Sequence, residues 1–204
     1  MRWASLYRRP PVVRGVSASQ IRADYASHQL RVAQAQVIDP AQQPSNEHKG
    51  VFVFTFINAF LIGTASGLRA LIGLASVSWA VHFGILPLEH TWLAFLGYAF
   101  TPYILTLMAI GELVNDKLPK TPSRLVPPQF ITRIVTSALS GLAIGLSGNG
   151  LIIGLVAGIL GAVAGTFGGA KARGVLAKRF GRDLPAALLE DAVALGIAAF
   201  ALFR

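Results

Sequence analysis

The chain contains no cysteine. That excludes disulfides, thiolate metal ligands, Fe–S clusters and a cysteine nucleophile. Charge is scarce: 13% of the 204 residues are charged, about half the share of an ordinary soluble domain. Acids are the scarcest, nine against eighteen Lys and Arg, which leaves a net charge of +9. There is no Gly-x-x-x-x-Gly-Lys phosphate loop, no His pair at metal spacing and no serine in an elbow motif. Enzyme signals are therefore poor, and no catalytic residue, metal or cofactor is expected. What the chain has in quantity is apolar: 53% hydrophobic residues and a mean hydropathy of +0.58. A disordered chain and a water-soluble globule both conflict with that composition.

The composition changes at about Gly50. Residues 1–50 hold seven Arg or Lys and three acids, are rich in Gln, Ser and Pro, and contain no long apolar run. Such a segment buries too little surface to offset its ordering entropy, so a basic, mostly disordered tail is expected ahead of a helical domain over 51–204. No cleaved secretory signal is visible, because the apolar run begins too late. An Arg-rich organelle transit peptide is weakened by Asp24, Asp39 and Glu47.

Five apolar runs follow: Val51–Pro87, Trp92–Gly111, Ile131–Ser147, Gly150–Ala170 and Ala186–Phe203. A bilayer core of about 30 Å needs about 20 helical residues, and each of the last four runs fits one span. The runs are continuous rather than alternating, which disfavours a closed sheet. The expected class is an all-α polytopic membrane bundle of five or six transmembrane segments. The first run, at about 55 Å as one helix, is too long for a single span. Its natural break is Gly63-Thr64-Ala65-Ser66-Gly67-Leu68-Arg69.

Basic residues orient the helices. The segments 116–133 and 171–183 are rich in Lys and Arg, whereas Gly148-Asn149-Gly150 between them carries no charge. Both segments read as cytoplasmic loops of a multi-pass protein of the bacterial inner membrane. A basic tail that stays inside favours five crossings; a helical hairpin in the first run gives six and an exterior tail. The same distribution argues against nucleic acid as a partner, since the basic residues flank membrane segments and lack interleaved aromatics.

Ten of the 21 glycines fall between Gly141 and Gly169. Gly154, Gly158, Gly161 and Gly165 recur near the helical repeat and form one smooth stripe, and Gly141 and Gly145 give the preceding helix a second such face. Close packing of these two helices is the favoured reading; a homo-oligomer through the stripe is the alternative.

Ionisable residues in or against apolar runs are few, and in hydrocarbon each costs a few kcal/mol unless paired or wet. Arg69 is the run's only cation, Glu112 and Asp116 share a helix face at i, i+4, and Glu190 and Asp191 enter the last helix. Pairing of Arg69 with one of these carboxylates is the economical arrangement, and the set is the candidate substrate or ion pathway. His82 reads as a packed or interfacial residue. Lys117, Lys120 and Arg124 crowd a turn stiffened by Pro119 and Pro122. They are the candidate site for an anionic ligand or lipid head group.

Gly67-Leu-Arg-Ala70, Gly111-Glu-Leu-Val-Asn-Asp-Lys-Leu-Pro-Lys-Thr-Pro-Ser123 and Leu189-Glu-Asp-Ala-Val-Ala-Leu-Gly196 occur in that order. Over roughly residues 55–200 this resembles a family of small bacterial membrane proteins catalogued as a domain of unknown function (four-one-two-six). The resemblance implies a membrane protein and draws attention to Arg69, Glu112, Asp116, Lys117, Pro119, Glu190 and Asp191; it implies no activity. Where that family has a proline soon after its GLRA element, this chain has Ile72-Gly73-Leu74. The leading functional expectation is transport or permeation through the Arg/carboxylate set; the alternatives are a structural or partner-binding role without transport, and lipid binding or modification.

Overall fold

The computed structural model describes Ser27 and residues 45–117, 125–148 and 150–203. Of the proposed tail, residues 45–50 belong to the first helix; apart from these and Ser27, the tail lies outside the described residues, as do Pro119, Lys120, Pro122 and Arg124. Among the described residues of the compact unit Asn46–Arg204 there are six α-helices, the first beginning one residue ahead of it: α1 (Ser45–Leu68), α2 (Ala70–His82), α3 (Thr101–Asn115), α4 (Pro127–Ser147), α5 (Leu151–Phe180) and α6 (Asp183–Phe203). There is no strand among the described residues. α1 (from Gly50), α4, α5 and α6 are long and apolar enough to cross a membrane. Their outward faces are apolar, with Ile131 on α4 58% and Ile152 on α5 71% exposed, and so is that of α3, with Leu107 71% exposed. In water such a surface is a liability, whereas hydrocarbon accommodates it. The protein is an all-α membrane bundle.

The first run breaks within the expected segment, at one residue. Arg69 is extended (φ −139°, ψ 111°) between α1 and α2. The chain reverses there: a Cβ on Gly73 would meet Ile62 O at 2.9 Å, although residues eleven apart on one helix are about 16 Å apart. The run is thus a helical hairpin, against the preference for a single crossing. Its second arm is short, 13 residues, or about 20 Å.

The run Trp92–Gly111 is not one span. Trp92–Gly97 forms a short 3-10 helix, and α3 starts only at Thr101. Pro102 sits in the first turn of α3, where its missing N–H and fixed φ favour a helix start rather than passage through one. The basic segment 171–183 is not a loop either. Nothing between Gly169 and Phe180 stops α5, which ends at Gly181, whose φ of +66° is the left-handed cap that glycine adopts without strain.

α4 packs along α5, α5 on α6, and α2 on α3, α4 and α6. The glycines set these distances. A Cβ on Gly158 would lie 2.6 Å from Ser137 O and 3.1 Å from Gly141 Cα. On the same helix, a Cβ on Gly161 would lie 2.7 Å from Thr64 N, and one on Gly165 would meet Gly67 Cα at 3.1 Å. The stripe of α5 is therefore shared by two neighbours of the same chain, α4 as expected and α1 as well. Gly141 and Gly145 complete the contact from the α4 side, against Gly154 and Leu151.

The helices run alternately up and down. The ends of α1, α3 and α5 and the starts of α2, α4 and α6 gather at one end of the bundle, the linked end. The other end carries a cavity of about 610 Å³ whose walls include Thr55, Asn58, Leu86, Ser147 and Leu202. His82 lies toward that end, its Nδ1 donating to Gly97 O (3.1 Å) with Trp79 edge-on to the ring.

Candidate functional site

At the linked end, the break between α1 and α2 leaves helix termini inside the protein. The last carbonyls of α1 and the first N–H groups of α2 lack partners within their own helices. Two charged side chains from other helices supply them. Glu112 of α3 accepts from Ala70 N (2.8 Å) and Leu71 N (2.9 Å), one bond to each carboxylate oxygen. Arg133 of α4 donates through Nη1 to Gly67 O (2.7 Å) and Leu68 O (2.5 Å). Each charge has the sign that its helix end favours: an anion at the N-terminus and a cation at the C-terminus. The two caps also face each other, with Arg133 Nη2 3.7 Å from Glu112 Oε1. Thr166 of α5 adds a further donor to Gly67 O (3.1 Å).

Arg69, in the link itself, is fully buried. Its Nη1 donates to Asp116 Oδ2. Its Nη2 lies 2.6 Å from Asp191 Oδ1 and 3.9 Å from Glu190 Oε2. The Nη2–Asp191 pair is coulombic in character, since neither atom is aligned to hydrogen-bond the other. Lys117 donates to Asp191 Oδ2 (2.8 Å) and to Leu113 O (3.2 Å). Arg173, late in α5, donates to Asp116 Oδ2 (2.8 Å), bridges both oxygens of Asp183 (3.0 and 2.6 Å) and lies 3.6 Å from Glu190. Arg69, Lys117 and Arg173 thus form one ion-pair network with Asp116, Asp183, Glu190 and Asp191, and the Arg133–Glu112 pair lies beside it at the helix break. Burial pushes the Asp116 carboxyl up, but the charge of Arg69 and the hydrogen bonds from Arg173 and Arg69 outweigh it. The carboxyl therefore lies below its ordinary value of 3.8.

Of the five residues proposed as a pathway, Arg69, Asp116, Glu190 and Asp191 are in this network, and Glu112 caps α2 beside it. Lys117, expected to face anionic ligands, pairs with Asp191. Arg133 and Arg173 were assigned by sequence to loops. The structure places Arg133 on the second turn of α4 at 2% exposure, and Arg173 within α5. A signal for both was present: Gly141, Ser137 and Arg133 are spaced by four, as are Gly165, Gly169 and Arg173. The smooth faces of α4 and α5, continued toward the linked end, terminate in these two arginines. The carboxylates face guanidinium and ammonium groups, and among the described residues no cluster of His, Asp or Glu is arranged to hold a metal ion.

Depth follows from position. Arg133 lies six residues into α4, Asp191 eight into α6 and Arg173 seven from the end of α5, each about 10 Å along its helix. A cleft of about 340 Å³ opens beside the network between α3 and α4 and is floored by Leu71 of α2. No family model matches the chain, and no significant match is found among curated proteins or solved structures.

Proposed function

We propose that the protein is a small polytopic transporter or permease in which the Arg69 network is the ion or solute coupling site. The observation that carries this reading is Arg69 itself: a fully buried arginine in the extended link of a broken helix, held by carboxylates from two other helices. Broken helices with charged or ion-facing ends near the helix interior are the recurrent architecture of transport sites, and buried ionisable residues in membrane helices usually serve a pathway. Here the half-helix ends are occupied by Glu112 and Arg133, so a permeating ion would exchange with charges the chain already carries. Reconstitution into proteoliposomes tests it. Arg69→Gln and Asp191→Asn should abolish ion or proton flux while the protein still elutes as a folded species. Folded protein with no flux in the unsubstituted chain overturns the reading.

The second reading is structural. It is favoured by the extent of the pairing, since the ion pairs and the two helix caps together tie every helix at one end. On that account the same substitutions destabilise the bundle and there is no flux to lose.

The three sequence elements that resemble the four-one-two-six family bring Arg69, Glu112, Asp116, Lys117, Glu190 and Asp191 to this one place. The linked end is the cytoplasmic one in this proposal, in an inner-membrane protein. It carries Lys171, Lys178, Arg179 and Arg182, whereas residues 83–100 at the opposite end include no Lys or Arg. Within twenty residues ahead of Gly50 only Arg31 and Lys49 are basic, too few to reverse the bias.

A further inference from the structure

The cleft between α3 and α4 differs in kind from the ion pairs behind it. Its polar end is formed by Glu112, Asn115, Asp116, Gln129 and Arg133, its floor by Leu71, and its apolar end by Gly111 and Met108. Polar and apolar linings are ordered along the helix axis. Asp116 caps α3 at the linked end and Met108 lies two turns deeper, with Ile104 one turn beyond it on the same face. Met108 and Ile104 are 52% and 56% exposed, on a surface that faces lipid. The cleft therefore opens sideways to the bilayer, with its charged part at head-group depth and its apolar part toward the acyl chains.

The charge at the polar end is one-sided where it is accessible. Arg133 is buried and committed to Gly67 O and Leu68 O. The Glu112 and Asp116 side chains keep 19% and 17% exposure. Asp116 receives both of its arginines on Oδ2, and among the described residues Oδ1 takes no hydrogen bond. A partly exposed carboxylate with one oxygen that takes no donor among the described residues, beside a second carboxylate, fits a compact cation that carries N–H groups. Lys117, the neighbouring candidate for an anionic head group, is already paired with Asp191.

The geometry points to this cleft as a binding site for a phospholipid with a primary ammonium head group, taken from the leaflet at the linked end. The ammonium donates to Asp116 Oδ1 and lies against Glu112, Gln129 faces the phosphate and glycerol, and an acyl chain runs over Gly111 and Met108. The site stands whether or not the network moves ions.

Gly111 provides a clean block. A Cβ there would meet nothing within 4 Å, so a large side chain fills the cleft without pressing on the bundle. The experiment is native mass spectrometry of the full chain released from vesicles of phosphatidylethanolamine, phosphatidylcholine and phosphatidylglycerol in equal parts. Phosphatidylethanolamine should be retained over phosphatidylcholine, whose quaternary nitrogen has no N–H, by about tenfold or more, the worth of one charge-assisted hydrogen bond. Gly111→Phe should reduce the phosphatidylethanolamine adduct to the phosphatidylcholine level with its unfolding temperature unchanged. Equal retention of the two lipids in the unsubstituted protein, preferential retention of phosphatidylglycerol, or a folded Gly111→Phe that keeps its adduct overturns the proposal. Displacement by soluble glycerophosphoethanolamine at the same concentration as the lipid also overturns it, because it would assign the site to a free amine.

Discussion

Glu112→Gln isolates what the helix break demands of its partners. The carboxylate accepts from Ala70 N and Leu71 N, one bond per oxygen. Glutamine keeps one acceptor and turns an amide NH2 toward the other N–H. One charge-assisted hydrogen bond is lost, one neutral bond replaces the second, and a backbone donor is left unsatisfied. A lost or orphaned bond of this kind costs about 1–3 kcal/mol, and removing the anion from a helix N-terminus costs up to about 1 kcal/mol more. Arg133 also loses its counter-charge at 3.7 Å. The side chain is 19% exposed, so water compensates in part, and about 2–3 kcal/mol remains. For a chain of this length that is a fall of about 5–10 °C in unfolding temperature. The assay is thermal unfolding in one detergent, with Glu89→Gln as the control, because Glu89 lies in the loop at the opposite end. An unfolding temperature for Glu112→Gln within about 1 °C of the unsubstituted protein would refute the capping argument.

The glycine stripe makes a paired prediction: Gly158→Leu should destabilise by about 1–3 kcal/mol or more through overpacking. Gly174→Leu on the same helix, where a Cβ meets nothing, should be neutral or stabilising; equal effects at both sites would sink the packing account. The depressed Asp116 pKa fixes a sign for acid stability. Its stabilisation is complete above the ordinary value of 3.8 and is lost as the pH falls from there through the lower folded value. The gap in unfolding temperature between the unsubstituted protein and Asp116→Asn should therefore be constant from pH 7 to about 5 and shrink below about pH 4. A gap that does not narrow in acid contradicts it. Orientation is testable because the chain is free of cysteine. In intact cells an impermeant maleimide should label Glu89→Cys and leave Lys178→Cys untouched, and the reverse pattern would invert the topology.

How much was legible in the sequence varies by element. The long spans were, because hydropathy acts on each segment separately and a lipid-facing helix must be apolar wherever it packs. The break of the first run was legible to within a few residues, since an arginine among glycines is a poor continuation of a membrane helix. The division of Trp92–Gly111 was less so: hydropathy does not register that Pro102 starts a helix instead of passing through one. The basic segment 171–183 was misread because the positive-inside bias is blind to secondary structure, and Arg173 satisfies it as well from a helix as from a loop.

The sequence by itself determined that this is an all-α membrane protein, that its glycines permit close helix contact, and that Arg69 and the carboxylates need partners. Those properties reside in composition and spacing within single helices. Only the tertiary structure decided which partner each group takes. Arg69 meets Asp116 and Asp191, Glu112 and Arg133 cap the two halves of a hairpin that neither belongs to, and Lys117 pairs with Asp191. The physical reason is that burying charge in a bundle is tolerable only when several helices complete one another at once, a condition that no single segment can express.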